Sequence, residues 1–188
     1  MGSAKILKER YTYADFCSWP EGERCELIEG RLYAMATPTM AHQHVSREIF
    51  ARLYLFLQGK PCQVFYAPFS VRLNADESDD TVVEPDILVV CDEKKLEDGK
   101  GVVGAPDFIV EVLSPSTAKH DKVTKHRLYQ RSGVREYWIV DPDDKLLMVN
   151  ILQNGRYMGQ FYYEDDTAVP IEVLAGCTIN LAEVFAGL

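Results

Sequence analysis

Two carboxylates in this sequence call for a chemical explanation. Glu111 interrupts the otherwise apolar run Phe108, Ile109, Val110, Val112, Leu113, which reads as a strand buried on both faces. An unpaired charge in such a strand is destabilising by several kcal/mol, so the group must be protonated, paired or metal-bound. Asp86 follows Pro85 and opens a second short apolar strand, EPDILVV, residues 84–90. If the two strands are neighbours, both acids converge on one face. Two or three carboxylates completed by water suit Mg²⁺ or Mn²⁺, which favour hard oxygen ligands in octahedral geometry. Glu26, in ELIEG, is a third acid that could complete the shell. The simpler alternatives stay open: Asp86 as a turn residue, Glu111 paired with an arginine, Glu26 as an edge-strand charge.

A nearby amine would complete such a site. Asp121, Lys125 and Tyr129 fall at i, i+4 and i+8 and share one helical face. Lys125 is the candidate to orient water beside a metal. The plainer reading is an Asp121–Lys125 helix pair contributing a few tenths of a kcal/mol. His42 and His44, two residues apart near a helix start, point to different faces and make poor metal geometry; at least one is read as a solvated or capping residue. Ser114 has no partnered His or Asp in sequence context, and Tyr137 and Trp138 read as packing or groove residues.

The elements that must position these groups follow from pattern. CELIEGRLYAM reads as a hairpin turning at Glu29-Gly30. Residues 41–58 carry Val45, Ile49, Leu53, Phe56 and Leu57 at helical spacing, ended by Gly59-Lys60-Pro61. Residues 63–73 read as one strand with a proline irregularity, 116–132 as a basic helix stopped by Gly133, and 135–141 as a strand. A late hairpin turns at Asn154-Gly155, and LAEVFAGL closes the chain as a short helix. The order predicts an α/β or α+β domain with a mixed sheet flanked by helices, without the regular alternation or glycine-rich loops of a nucleotide-binding fold.

At 188 residues the chain is the size of one domain, and residues 1–12 are expected to form a loosely ordered tail. No apolar run reaches membrane or signal-peptide length, so neither membrane association nor export is expected. Cys17, Cys25, Cys62, Cys91 and Cys177 are odd in number and scattered, which argues against disulfides and a zinc site and for a reduced, cytoplasmic setting. The net charge of -9 counts against nucleic acid as a partner. Against that total, Lys119 to Arg135 carries six basic residues and only Asp121.

The strings YADFCSWPEGERCELIEGRLYAM, EPDILVV, PDFIVEVLSPST and DKVTKHRLYQRSGVREYWIVDP, with the late hairpin, together resemble the Uma-two family of endonuclease-like proteins in the PD-(D/E)XK superfamily. The resemblance runs from about Tyr13 to the C-terminus. It implies a restriction-endonuclease-like core with extra hairpins and a metal site at the strand ends. The superfamily's first acid falls on Asp86 and its second on Glu111, with Glu26 as the accessory glutamate. Its lysine should fall at position 113, where this chain has Leu113, and Lys125 is the natural substitute from the following helix. Asp107, also after a proline, lies on the same strand as Glu111 and too close to it to serve.

The expectation is therefore an Mg²⁺- or Mn²⁺-dependent endonuclease acting on nucleic acid, DNA foremost. Asp86, Glu111 and Lys125 would be catalytic, and Asp86, Glu111 and Glu26 would hold the metal. Lys119, Lys122, Arg127 and Arg131 would contact the phosphate backbone, and a homodimer is the assembly considered. The alternatives are a catalytically silent binding or assembly module with a nuclease-like fold, and a hydrolase of a small phosphorylated metabolite.

Overall fold

The computed structural model describes residues 9–19, 24–114 and 120–188. In chain order the elements are α1 (Tyr13–Cys17), β1 (Cys25–Ile28), β2 (Arg31–Ala34), α2 (Met40–Leu57), β3 (Gln63–Tyr66), β4 (Val71–Arg72), β5 (Val82–Val83) and β6 (Ile87–Val90). A 3₁₀ turn (Glu93–Leu96) leads to β7 (Val102–Val103) and β8 (Phe108–Val112). A π-helical turn (His120–Lys125) runs into α3 (His126–Ser132), followed by β9 (Glu136–Asp141), β10 (Leu146–Gln153), β11 (Arg156–Tyr163), β12 (Val169–Pro170), β13 (Thr178–Ile179) and α4 (Leu181–Val184).

The larger sheet has the order β11-β10-β9-β8-β6-β3, antiparallel except for the parallel pair β8–β9, which the chain joins through the π turn and α3. The smaller sheet runs β2-β1-β5-β4-β7 and is likewise mixed, with β4 and β7 parallel. Strand alternation divides the core in two. Phe108, Val110 and Val112 face α2 and α4, together with Val45, Ile49, Leu53 and Val184. Ile109 and Leu113 face the other way, toward Leu128 and Tyr129 of α3 and toward Ile28, Val71 and Val83 of the smaller sheet. The strand carrying Glu111 is thus buried on both faces, as its composition predicts. Gly133, at φ 86, lets Val134 N–H donate back to Tyr129 O and closes α3 where the sequence places its stop.

Three local expectations are corrected. Residues 63–73 are not one strand: β3 belongs to the larger sheet and β4 to the smaller, and Pro68, which lacks a ladder donor, lies in the change of sheet. The stretch 116–132 is α-helical only from His126; its start is the π turn, and residues 115–119 lie outside the described residues. Cys62 and Cys91 are joined by a disulfide, against the expectation of unpaired cysteines. The register Gln63↔Val90 explains it: one step beyond the ladder, antiparallel pairing sets position 62 opposite 91. Of the expected tail, residues 1–8 lie outside the description, while Arg10 pairs with Asp80 at 2.6 Å and Tyr11 N–H donates to Gly30 O. No helix among the described residues is long and apolar enough to cross a membrane.

Candidate active site at the ends of two facing strands

The β6–β8 ladder pairs Ile87 with Val110 and Leu88 with Ile109. Carried one step further, that register sets Asp86 opposite Glu111, at the point where both strands end. Asp86 is anchored there by two contacts to one oxygen. Val112 N–H donates to Oδ2 at 2.8 Å, and His42 Nε2, from the first turn of α2, lies 3.1 Å from the same atom.

Glu111 shares its face with Ile109 and Leu113, so it points at α3 and β1. Its Oε1 accepts from the Tyr129 hydroxyl at 2.7 Å and from Lys125 Nζ at 2.9 Å. The same ammonium lies 2.9 Å from Glu26 Oε1 and 3.6 Å from Asp121 Oδ1. Glu26, in turn, accepts Glu84 N–H at 3.0 Å. Glu26, Glu111, Asp121 and Lys125 are each at most 4% exposed. The π turn places Lys125 at the helix base, beneath the strand ends; such turns occur frequently at functional sites.

Three carboxylates thus surround one ammonium, with a fourth, Asp86, beside them. The cluster has surplus negative charge in a poorly solvated place. Burial pushes Glu111 well above the usual carboxylate range, opposed by Lys125 and reinforced by Asp121, Asp86 and Glu26. Burial alone would lower Lys125, but the charges of Glu111, Glu26 and Asp121 outweigh it and keep the amine protonated. Burial likewise keeps Tyr129 a neutral phenol that donates to Glu111. His120, 3.9 Å from Glu26 and packed on the Tyr33 ring, is held below its ordinary value by burial and by Lys125.

A cavity of about 270 Å³ opens over this cluster, lined among others by Glu26, His42, Asp86, Glu111, His120 and Lys125. Among the described residues no three of the histidines, cysteines and acids form a ready-made metal cage. The donor set nevertheless fits a hard divalent ion. Among the described residues, these hydrogen bonds to Asp86 and Glu111 fall on Oδ2 and Oε1 respectively. Two carboxylates with a shell completed by water and phosphate are the usual protein contribution to Mg²⁺. The surplus negative charge favours a second cation beside the ammonium.

The structure therefore brings together Glu26, Asp86, Glu111 and Lys125, and the Asp121–Lys125 helix contact coexists with this arrangement. Among the described basic candidates, Lys122, Arg127 and Arg131 do not line that cavity. Lys122 lies 3.3 Å from Asp141, Arg131 lies 2.6 Å from Glu29, Arg127 is solvent-exposed, and Lys119 is outside the described residues. Asp107 sits at the opposite end of β8, accepting Cys91 N–H and pairing with Arg135, and is structural. Two participants were not legible. His42 lies 44 positions before Asp86, with no spacing signal linking them. Tyr129 shares a helical stripe with Lys125, but nothing in sequence marks its hydroxyl as a partner for Glu111.

Comparison with known proteins adds three findings. The Uma2 family model, described as "Putative restriction endonuclease", matches residues 13–182. Two uncharacterized Synechocystis proteins, slr1290 and sll1609, are 25% identical over 128 residues and 27% identical over 121. Those matches cover 67% and 63% of this chain and 65% and 67% of the relatives, so the chain spans about two thirds of their length. A crystal structure of an Anabaena variabilis protein, described as a putative nuclease belonging to DUF820, superposes with a TM-score of 0.76 at 20% identity, covering 93% of this chain and 97% of that one. At that identity the likeness concerns the fold.

Proposed function

The chain belongs to the Uma2 family, and on that premise we propose that it is a divalent-metal-dependent phosphodiesterase acting on nucleic acid, DNA foremost, with Asp86, Glu111 and Lys125 at its centre. The observation that carries the reading is the Lys125 ammonium 2.9 Å from both Glu111 and Glu26 at the strand end where Asp86 faces Glu111. An amine reaching buried acids from a helix supplies what Leu113 cannot.

Each side chain then has a role. Asp86 and Glu111 would hold Mg²⁺ or Mn²⁺, with Glu26 as the outer acid. The bound ion supplies polarisation of a phosphate oxygen and a more acidic water. Lys125 orients the attacking water and balances charge on the phosphate; Glu26 and Asp121 keep that amine protonated and aimed. His42 and Val112 N–H fix the Asp86 carboxylate, and Tyr129 fixes Glu111. Hydrolysis breaks one P–O bond, with the water's oxygen added to phosphorus and its protons lost to the leaving oxygen and solvent. Lys119, Lys122, Arg127 and Arg131 would give local, salt-sensitive attraction to the phosphate backbone.

The test is a magnesium and manganese titration against plasmid and oligonucleotide substrates, with Lys125→Ala beside the parent. Metal-dependent cleavage lost in the variant is expected; cleavage retained there returns Lys125 to a structural ion pair. A second reading has its own support: the ammonium already partners the acids, as it would in a silent binding module. Metal binding that disappears in Asp86→Asn separates the two.

A further inference from the structure

The candidate site does not end at Asp86. A second cavity, about 260 Å³, shares His42, Gln43, Ala67 and Asp86 with the first and continues over Phe50 and Tyr66. Its far wall is aromatic. Tyr66 ends β3, the edge strand of the larger sheet, and Ala67 N–H donates to Asp86 O at 3.1 Å, so the tyrosine is tied to the main chain of the acid. Its ring meets Phe50 at 4.7 Å in an edge-to-face contact, and Phe50 stacks in turn on Tyr54 at 6.1 Å. Tyr66 is 61% exposed and Tyr54 53% exposed, so a ladder of rings leads from the acid cluster to solvent.

Charge does not explain what this surface holds. Arg47 lies at its edge, but its guanidinium is bonded to Glu48 at 2.9 Å, and the chain as a whole carries -9. Exposed flat rings favour a planar, weakly polar group, and their continuity with Asp86 requires that group to be attached next to the phosphate. In a phosphodiester it is a nucleobase. Inside a duplex both faces of each base are covered by its stacked neighbours, so only an unpaired base can lie on Tyr66.

Building on the phosphodiesterase reading, we propose that the cavity beyond Asp86 is a base-stacking subsite, and that the substrate is single-stranded or locally unpaired nucleic acid. An acidic protein tolerates this substrate better than duplex, because stacking replaces part of the electrostatic attraction that a duplex binder needs.

The experiment uses the full chain in Ca²⁺ or Mg²⁺ with a thymine-flanked single strand carrying one 2-aminopurine and a terminal dye. Dye anisotropy reads binding, and 2-aminopurine emission reads stacking. We expect quenching on binding, and roughly ten- to hundredfold weaker affinity with loss of quenching in Tyr66→Ala. Tyr66→Trp should restore both, an abasic strand should bind the parent as weakly as Tyr66→Ala binds the full strand, and the matched duplex should bind more weakly than the single strand. Because Tyr66 is mostly exposed, thermal melts should coincide for parent and variants. Unchanged affinity and quenching in Tyr66→Ala, with binding or cleavage still lost in Asp86→Asn, overturns the subsite and leaves the phosphodiesterase reading standing. A 2-aminopurine nucleoside monophosphate that binds as tightly as the strand overturns the strand assignment in favour of a small nucleotide. Absence of binding and cleavage for every nucleic acid in every metal overturns both readings.

Discussion

The Lys125 ammonium stands 2.9 Å from Glu111, on a strand face whose neighbouring positions, Ile109 and Leu113, are hydrocarbon. The same nitrogen reaches Glu26 at 2.9 Å, so one cation links β8, β1 and the helix base. Buried pairs of this kind are poor sources of net stability but strongly destabilising to break, because the surviving charge stays buried.

Lys125→Ala should therefore lower unfolding free energy by about 3–5 kcal/mol as well as abolish cleavage. Urea denaturation measures the first effect. Lys125→Ala combined with Glu111→Gln should recover part of the loss, because the glutamine leaves no unpaired charge at position 111. A double variant no more stable than the single one would show that Lys125 stabilises through Glu26 and Asp121 rather than by neutralising Glu111.

Asp86→Asn should weaken Mn²⁺ binding at least tenfold with little change in fold, since the amide oxygen can still accept from Val112 N–H. Isothermal calorimetry reads the affinity directly. Glu111→Gln should act in the same direction. Metal affinity unchanged in both variants would remove the two acids from the metal-holding role.

Much of this cluster was legible because burial and charge conflict in the sequence itself. Glu111 stands out in an apolar strand, and the Asp121, Lys125, Tyr129 stripe follows from helical period. The hairpin turns were equally plain: Asn154 and Gly155 both adopt positive φ, as a two-residue turn between paired strands requires. What stayed hidden depends on register and on packing between distant elements. The convergence of Asp86 and Glu111 is expected only on condition that their strands are neighbours, which the β6–β8 ladder meets, whereas the pairing of Cys62 with Cys91 follows from the β3–β6 ladder alone. Composition cannot supply either register. The division of residues 63–73 between two sheets is likewise a tertiary event, and His42 becomes a partner of Asp86 only when α2 packs over the strand ends.

The Cys62–Cys91 bond closes a loop across 29 positions at the edge of the larger sheet. On the loop-entropy estimate, reduction should lower stability by about 3–4 kcal/mol. Denaturation with and without dithiothreitol measures it, and a Cys62→Ser, Cys91→Ser variant should match the reduced parent. Identical curves under both conditions in the parent would mean that the two sulfurs are not bonded in solution.

Glu136 supplies a pH-dependent test away from the candidate site. It is fully buried, accepting the Trp138 indole N–H at 2.7 Å on Oε1 and Val173 N–H at 3.0 Å on Oε2. Burial pushes its carboxyl up to about 7, against hydrogen bonds that pull it down. Unfolded, it returns to about 4.5, so between these values the native state holds a proton that the unfolded state has lost. Its contribution is therefore fully present below pH 4.5 and disappears as pH rises through 7, a change of about 3 kcal/mol at roughly 1.4 kcal/mol per pH unit. Glu136→Gln should lower stability at acidic pH, where its amide faces Val173 N–H, yet flatten the decline between pH 5 and 8. Denaturant midpoints followed by tryptophan fluorescence at several pH values give the slope, with Trp138 reporting from beside the carboxyl. A slope in the variant equal to the parent's would assign the pH dependence to the acids around Lys125 instead.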